Sequence, residues 1–210
     1  MTRSQVLAFT MLSIATVLVS PIAHACQGNQ VLLQDNFQTM ASNWGAANDN
    51  QSVSNGKLVI SPALNASYVA LDGGYVFTDM DACVDVVLTK GGPKLVHTYG
   101  GLAFWATDYQ DYYELMVGPS GTVGVDRILP GRRISIMTFA NSSAVKSGVG
   151  QMNQLRVQTK GNTATLYING TQVGSITGQP PQGGGEVGLT AQSGPSTRDV
   201  YAFSNFKVTN

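Results

Sequence analysis

"GGLAFWATDYQDYYELMVGPSGTVGVDRI", residues 100–128, holds three apolar and aromatic runs parted by short polar turns. Side chains on a strand alternate between faces. In the first run Leu102, Phe104 and Ala106 take one face and Ala103, Trp105 and Thr107 the other. The second run puts Tyr113, Leu115 and Val117 on its apolar side with Tyr112, Glu114 and Met116 opposite, and the third turns Val123 and Val125 inward and Asp126 outward. As consecutive antiparallel neighbours, these strands fill a core with Phe104, Tyr113, Leu115 and Val125 and gather Trp105, Tyr112, Glu114 and Asp126 on the other face. The turn "TDYQDYY" between the first two brings Asp108 and Tyr109 to the end of that face. Its Asp and Tyr residues could line a cleft or chelate calcium through oxygens, and a tight turn begun by Asp is the stronger reading.

The same grammar recurs along the chain. Further strands are expected at 31–37, 57–61, 67–71, 75–77, 81–89, 133–139, 154–159, 163–168, 171–176, 186–192 and 200–208. They are separated by hairpin signals such as Asn55-Gly56, Ser120-Gly121 and Asn169-Gly170. No segment after residue 25 keeps an i, i+3, i+4, i+7 apolar pattern for three turns, so long helices are not expected. The fold class is all-β, a two-sheet antiparallel sandwich spanning 26–210 as one domain.

The beginning of the chain reads differently. Arg3 precedes an apolar run from Val6 to Val19, and Ala23-His24-Ala25 forms a small-x-small cleavage site. Residues 1–25 are therefore expected to be a signal peptide, the run being too short to span a membrane comfortably. The full chain balances 12 Lys and Arg against 12 Asp and Glu, and losing Arg3 leaves 11 against 12. Such a balance offers no electrostatic footprint for nucleic acid or an anionic membrane and points to a neutral or weakly charged partner. An exported chain with two cysteines is expected to join them, Cys26 to Cys83, stabilising the fold by roughly 4 kcal/mol in the chain-entropy model. The expected location is secreted or periplasmic.

The ordered set "LLQDNF" (32–37), "NGKLVI" (55–60), "GGLAFWATDYQDYYELMV" (100–117), "NQLRVQTKGNTATLYINGTQV" (153–173), "GEVGLTAQS" (185–193) and "VYAFSNFKVT" (200–209) resembles the concanavalin A-like lectin and glucanase jelly rolls. Among them it is most similar to exported bacterial modules grouped with the 3-keto-disaccharide hydrolase domain. The resemblance implies a jelly-roll sandwich and a glycan partner. Two departures bear on activity. The glucanase pattern of paired glutamates around an aspartate cannot be written, because Glu114 and Glu186 are the only glutamates. The keto-disaccharide hydrolases often carry an arginine where Trp105 stands. A calcium-associated "FDNF" ending is here Phe203-Ser204-Asn205-Phe206, without the carboxylate, so no cofactor is expected.

Trp105, Tyr112, Glu114 and Asp126, flanked by Asp108 and Tyr109, form the sharpest candidate ligand site. An aromatic face accepts the C–H side of a pyranose while carboxylates take its hydroxyls. The competing reading makes Trp105 a sheet aromatic covered by a loop and pairs Glu114 with Arg127 or Arg132. Hydrolysis would need Glu114 and a second carboxylate, Asp126 or Asp108, roughly 5–9.5 Å apart. His97 lacks any nucleophile context, and with so few His and Cys a zinc centre is excluded. Arg132-Arg133, the only basic pair, could meet an anionic sugar or a partner protein, but after Pro-Gly it reads as a solvated turn. The leading expectation is an exported carbohydrate- or cell-envelope-glycan-binding module. The alternatives are a glycoside-type hydrolase or lyase with Glu114 as general acid or base, and a protein-interaction module.

Overall fold

The computed structural model describes residues 26–92 and 97–210; the expected signal peptide lies outside them. The described residues form fourteen strands in two antiparallel sheets. The eight-stranded sheet runs β12(Thr171–Thr177), β11(Thr163–Ile168), β10(Met152–Lys160), β5(Met80–Lys90), β14(Val200–Thr209), β3(Lys57–Ile60) and β2(Gln51–Ser54), with β1(Val31–Asp35) also paired to β14. The six-stranded sheet runs β4(Ser67–Leu71), β13(Glu186–Gln192), β6(Tyr99–Asp108), β7(Asp111–Gly118), β8(Thr122–Leu129) and β9(Arg132–Asn141). This is the expected two-sheet sandwich. Among the described residues no helix is long and apolar enough to cross a membrane.

Turn chemistry set the hairpins as the sequence implied. Asn55-Gly56 and Asn169-Gly170 both hold positive φ at both positions, the conformation a two-residue hairpin favours and Asn-Gly tolerates. Between the sheets lie Leu102, Phe104, Leu115 and Val125 from one side and Leu58, Val84, Leu155, Phe203 and Phe206 from the other, all essentially inaccessible. Cys26 and Cys83 are bridged across 5.5 Å between Cα atoms, tying the start of the described chain to β5.

The structure departs from expectation in three places. Residues 75–77 form no strand: Tyr75 and Val76 are exposed and only Phe77 makes a bridge, to Gly185. Conversely, β2 was not foreseen, since "QSVS" has one apolar residue. It is held by the Asn55-Gly56 turn and by buried Gln51, whose Nε2 donates to the Trp44 and Ala46 carbonyls at 2.9 and 3.0 Å. Strand β1 stops at Asp35 rather than 37, because Asp35 Oδ1 accepts the Phe37 N–H at 2.7 Å and turns the chain with Phe37 at φ 51°.

Candidate functional site: the outer face of the six-stranded sheet

Strands β7 and β8 pair without a break from Tyr112↔Ile128 to Gly118↔Thr122, so period-two alternation holds there. It places Glu114 directly opposite Asp126, on the face away from the core, with Tyr112 in the same row of side chains. These three expected site residues do come together.

Trp105 does not join them. Pairing between β6 and β7 slips after Phe104↔Tyr113 and resumes at Asp108↔Asp111, so residues 105–107 face Tyr112 alone. Trp105 sits at φ 50°, an uncommon conformation for a bulky residue, and the bulge reverses the alternation. The indole turns inward beside Phe104 and edge-on to Tyr113, with centroids 5.3 and 5.4 Å away. Ala106 takes the outward place beside Ala103 and Tyr112. The indole is 2% exposed, which removes it from any ligand surface. Asp108 is also structural: its Oδ1 accepts the backbone N–H of Gln110 and Asp111 at 2.6 and 3.0 Å, closing the β6–β7 turn. Tyr109 stands exposed at that turn.

The residue that organises the face is Arg133, from β9. Its Nη1 donates to Asp126 Oδ2 at 3.1 Å, and its Nη2 lies 3.1 Å from Glu114 Oε1 and 3.3 Å from Ser67 Oγ. The guanidinium also covers the Tyr99 ring at 5.3 Å. Like charges opposite one another on neighbouring strands repel; one guanidinium shared by two carboxylates offsets that repulsion. Arg127, the partner considered for Glu114, is engaged elsewhere, with Asp111 at 3.3 Å and over the Tyr113 ring.

Arg133 divides two clefts. The larger, about 590 Å³, is lined by Tyr99, Asp126, Arg133, Phe139, Gln192 and His97 among others. The smaller, about 290 Å³, lies on the other side beneath Tyr109, Tyr112, Ile128 and Arg132. The larger falls within the usual range of ligand sites. Its wall is aromatic: Phe139 packs on Tyr99 with centroids 5.8 Å apart and lies over Gly124, where a Cβ would come within 2.7 Å of the ring. Sequence reading missed Tyr99, Phe139 and Gln192, and set Arg133 and His97 aside. Extending the alternation one step back from Gly101 would have found Tyr99, and pairing Ile128 with Arg133 would have found Arg133.

Glu114 lies under this arrangement and is 1% exposed. Burial pushes its carboxyl up to about 7; the Arg133 guanidinium and the Thr190 hydroxyl oppose the rise, and the Asp126 carboxylate adds to it. Neither Glu114 Oε1 nor Thr190 Oγ1 has a well-aligned hydrogen-bond partner. Burial, and after it the charge of Glu114, also drives the Tyr99 and Tyr112 phenols well above their ordinary range. The raised carboxyl has a consequence for stability. From its ordinary value of 4.5 up to about 7, the folded chain holds the Glu114 proton that the unfolded chain has released, so this stability is present at low pH and lost as pH rises through 7. Glu114→Gln should therefore gain on the wild type by roughly 2 kcal/mol in unfolding free energy between about pH 5 and about pH 8. Urea titrations at both pH values check this, and a pH-independent difference would show Glu114 ionised throughout.

No protein-family model matches the chain, and no curated protein matches it. Solved structures do. The carbohydrate-binding module CBM66 from Bacillus subtilis is 17% identical with a TM-score of 0.52, over 76% of this chain and 86% of its own. A Bacillus licheniformis β-glucanase is 13% identical with a TM-score of 0.58, over 85% of this chain and 97% of its own. The catalytic domain of an endo-1,3-β-glucanase (laminarinase) from Thermotoga petrophila RKU-1 is 12% identical with a TM-score of 0.56, over 85% and 96%. At these identities the likeness is one of architecture, and the architecture is the concanavalin A-like jelly roll.

Proposed function

We propose that this is an exported glycan-binding protein that holds its carbohydrate in the larger cleft on the outer face of the six-stranded sheet. The observation that carries the reading is the composition of that cleft: an exposed Phe139 ring, backed by buried Tyr99, beside the polar pair Asp126 and Arg133. A flat apolar wall with a few fixed polar groups is what a sugar ring requires. The shared architecture with a carbohydrate-binding module and two glucanases supports it. Export is supported by the Ala23-His24-Ala25 signal and by the Cys26–Cys83 bridge, since disulfides persist in oxidising compartments.

A glycan-array screen of the purified protein tests the reading. Phe139→Ala, which removes a partly exposed wall residue from an edge strand, should weaken retention about tenfold, or about 1.4 kcal/mol, with the urea midpoint little changed. Unaltered retention would move the site off this cleft.

One observation favours hydrolysis of the 3-keto-disaccharide kind as a second reading: Glu114, with its raised carboxyl, sits directly across from Asp126. A raised carboxyl directly across from a second carboxyl group is an arrangement acid–base chemistry uses. Glu114 is roofed by Arg133, so turnover would require that arginine to swing aside. Product release from 3-keto or ordinary disaccharides that Glu114→Gln removes would establish this reading; binding without release would dismiss it.

A further inference from the structure

The cleft contains a cation that has no charge to spare. Among the described residues Arg133 is the one cation lining the larger cleft, and it is committed to two acidic groups, Asp126 and Glu114. Asp126 lines the cleft itself, whereas Glu114 lies beneath it and is closed to solvent. With both carboxylates ionised the unit carries one net negative charge. An incoming carboxylate or sulfate would meet an arginine already neutralised and a second acid at its side, a like-charge juxtaposition that costs affinity. Hydroxyl and amide groups meet no such penalty, and they find Asp126 and Gln192 along the wall.

We propose that Glu114 is a specificity-determining residue which, by occupying Arg133 from below, restricts the cleft to uncharged glycans and excludes uronate-bearing and sulfated ones. The proposal rests on the glycan-binding reading of the cleft. Glu114 touches no ligand in this scheme; it acts through Arg133 and is a positioning residue. Removing its charge leaves the unit neutral, so an anion entering the cleft beside Arg133 no longer meets a net negative charge.

The groups facing Glu114 and Arg133 from the neighbouring strands are Tyr99 on β6, Tyr112 on β7, Asp126 on β8, Thr190 on β13 and Ser67 on β4, with His97 at the rim. Because burial brings the Glu114 carboxyl up to about 7, lowering the pH imitates the loss of its charge, provided the rim imidazole is removed from the comparison.

The experiment measures retention of the full chain on immobilised polygalacturonate and alginate at low ionic strength, beside a panel of neutral glucans and galactans. Wild type should bind within the neutral panel and pass through the polyuronates. Glu114→Gln, nearly the same shape, should gain polyuronate retention about tenfold or more and keep its neutral ligand. In a His97→Asn background, polyuronate retention by the protein with Glu114 should rise from about pH 8.5 to about pH 6, while the Glu114→Gln form stays flat. Asp126→Asn likewise leaves the unit neutral and should give the same gain, with weaker neutral binding because Asp126 lines the cleft; it serves if the Gln variant folds poorly. Neutral binding by wild type with no polyuronate gain in either variant overturns the proposal and leaves glycan binding standing. Polyuronate retention by wild type above about pH 8 overturns it as well. Absence of binding to every glycan by every variant sinks the glycan-binding reading, and this proposal with it.

Discussion

Trp105→Ala is expected to lower the unfolding free energy by about 3–5 kcal/mol, the range for emptying an aromatic site in a closed core. The indole is 2% exposed and packs on Phe104 and Tyr113. It also carries the loop between β12 and β13. A Cβ on Gly178 would approach Trp105 Cζ3 to 2.5 Å, and one on Gly185 would approach Trp105 Cα to 2.7 Å. The loop's two ends are therefore seated on this one residue, and Tyr113 Oη fixes the first by accepting the Gln179 N–H at 3.0 Å. Alanine removes the ring Gly178 rests on while keeping the backbone under Gly185, and leaves a backbone at positive φ that only the surrounding packing sustains. The midpoint of urea unfolding should fall, and the loop at 178–185 should become sensitive to protease at denaturant concentrations where wild type is not. Glycan retention, measured well below the midpoint, should persist, since Trp105 lines neither cleft. Lost retention with stability changed by less than about 1 kcal/mol would put the indole back on the ligand face.

That expectation reverses the one the sequence invites, and the cause is specific. Alternation predicts faces only while pairing is continuous. On β7 and β8 it is continuous, and Tyr112, Glu114 and Asp126 fall where alternation puts them. On β6 two additional residues enter after Phe104, and nothing in "FWATD" announces them, because bulges are set by what packs against the strand. The disulfide could be read because two cysteines leave no choice of partner. The arginine could not, because its meaning depends on β9 lying beside β8 with Arg133 opposite Ile128. As residue 133 of "PGRRIS" it is one of two adjacent charges after a turn; as an outward residue at the sheet edge it is the sole cation the described residues bring to the larger cleft. Composition reports such charges, but only strand order decides which of them meet.

The second large effect belongs to the opposite sheet. Arg156→Met should cost about 3–5 kcal/mol, while replacing its partner as well should recover most of the loss. Arg156 Nε donates to Asp81 Oδ1 at 2.7 Å and its Nη2 to Asp81 Oδ2 at 2.8 Å, with the two residues 5% and 2% exposed. The Tyr167 ring covers the guanidinium at 4.5 Å. Asp81 Oδ2 further accepts the Gln27 N–H at 2.8 Å, next to the cysteine bridged to Cys83. A bidentate pair this enclosed contributes little net stability over apolar residues of the same size, but removing one partner leaves a charge buried without compensation. In the single variant the Asp81 carboxylate is that charge, and it is also the acceptor that holds the first described residues against β5. Asp81→Asn combined with Arg156→Met removes the stranded charge and keeps an oxygen for Gln27. Urea unfolding of the four proteins closes a double-mutant cycle, for which a coupling near zero would show the pair to be independent. Because this pair lies on the sheet away from the clefts, the fraction of each variant that remains folded should retain glycan as wild type does, separating what holds the sandwich together from what its other face binds.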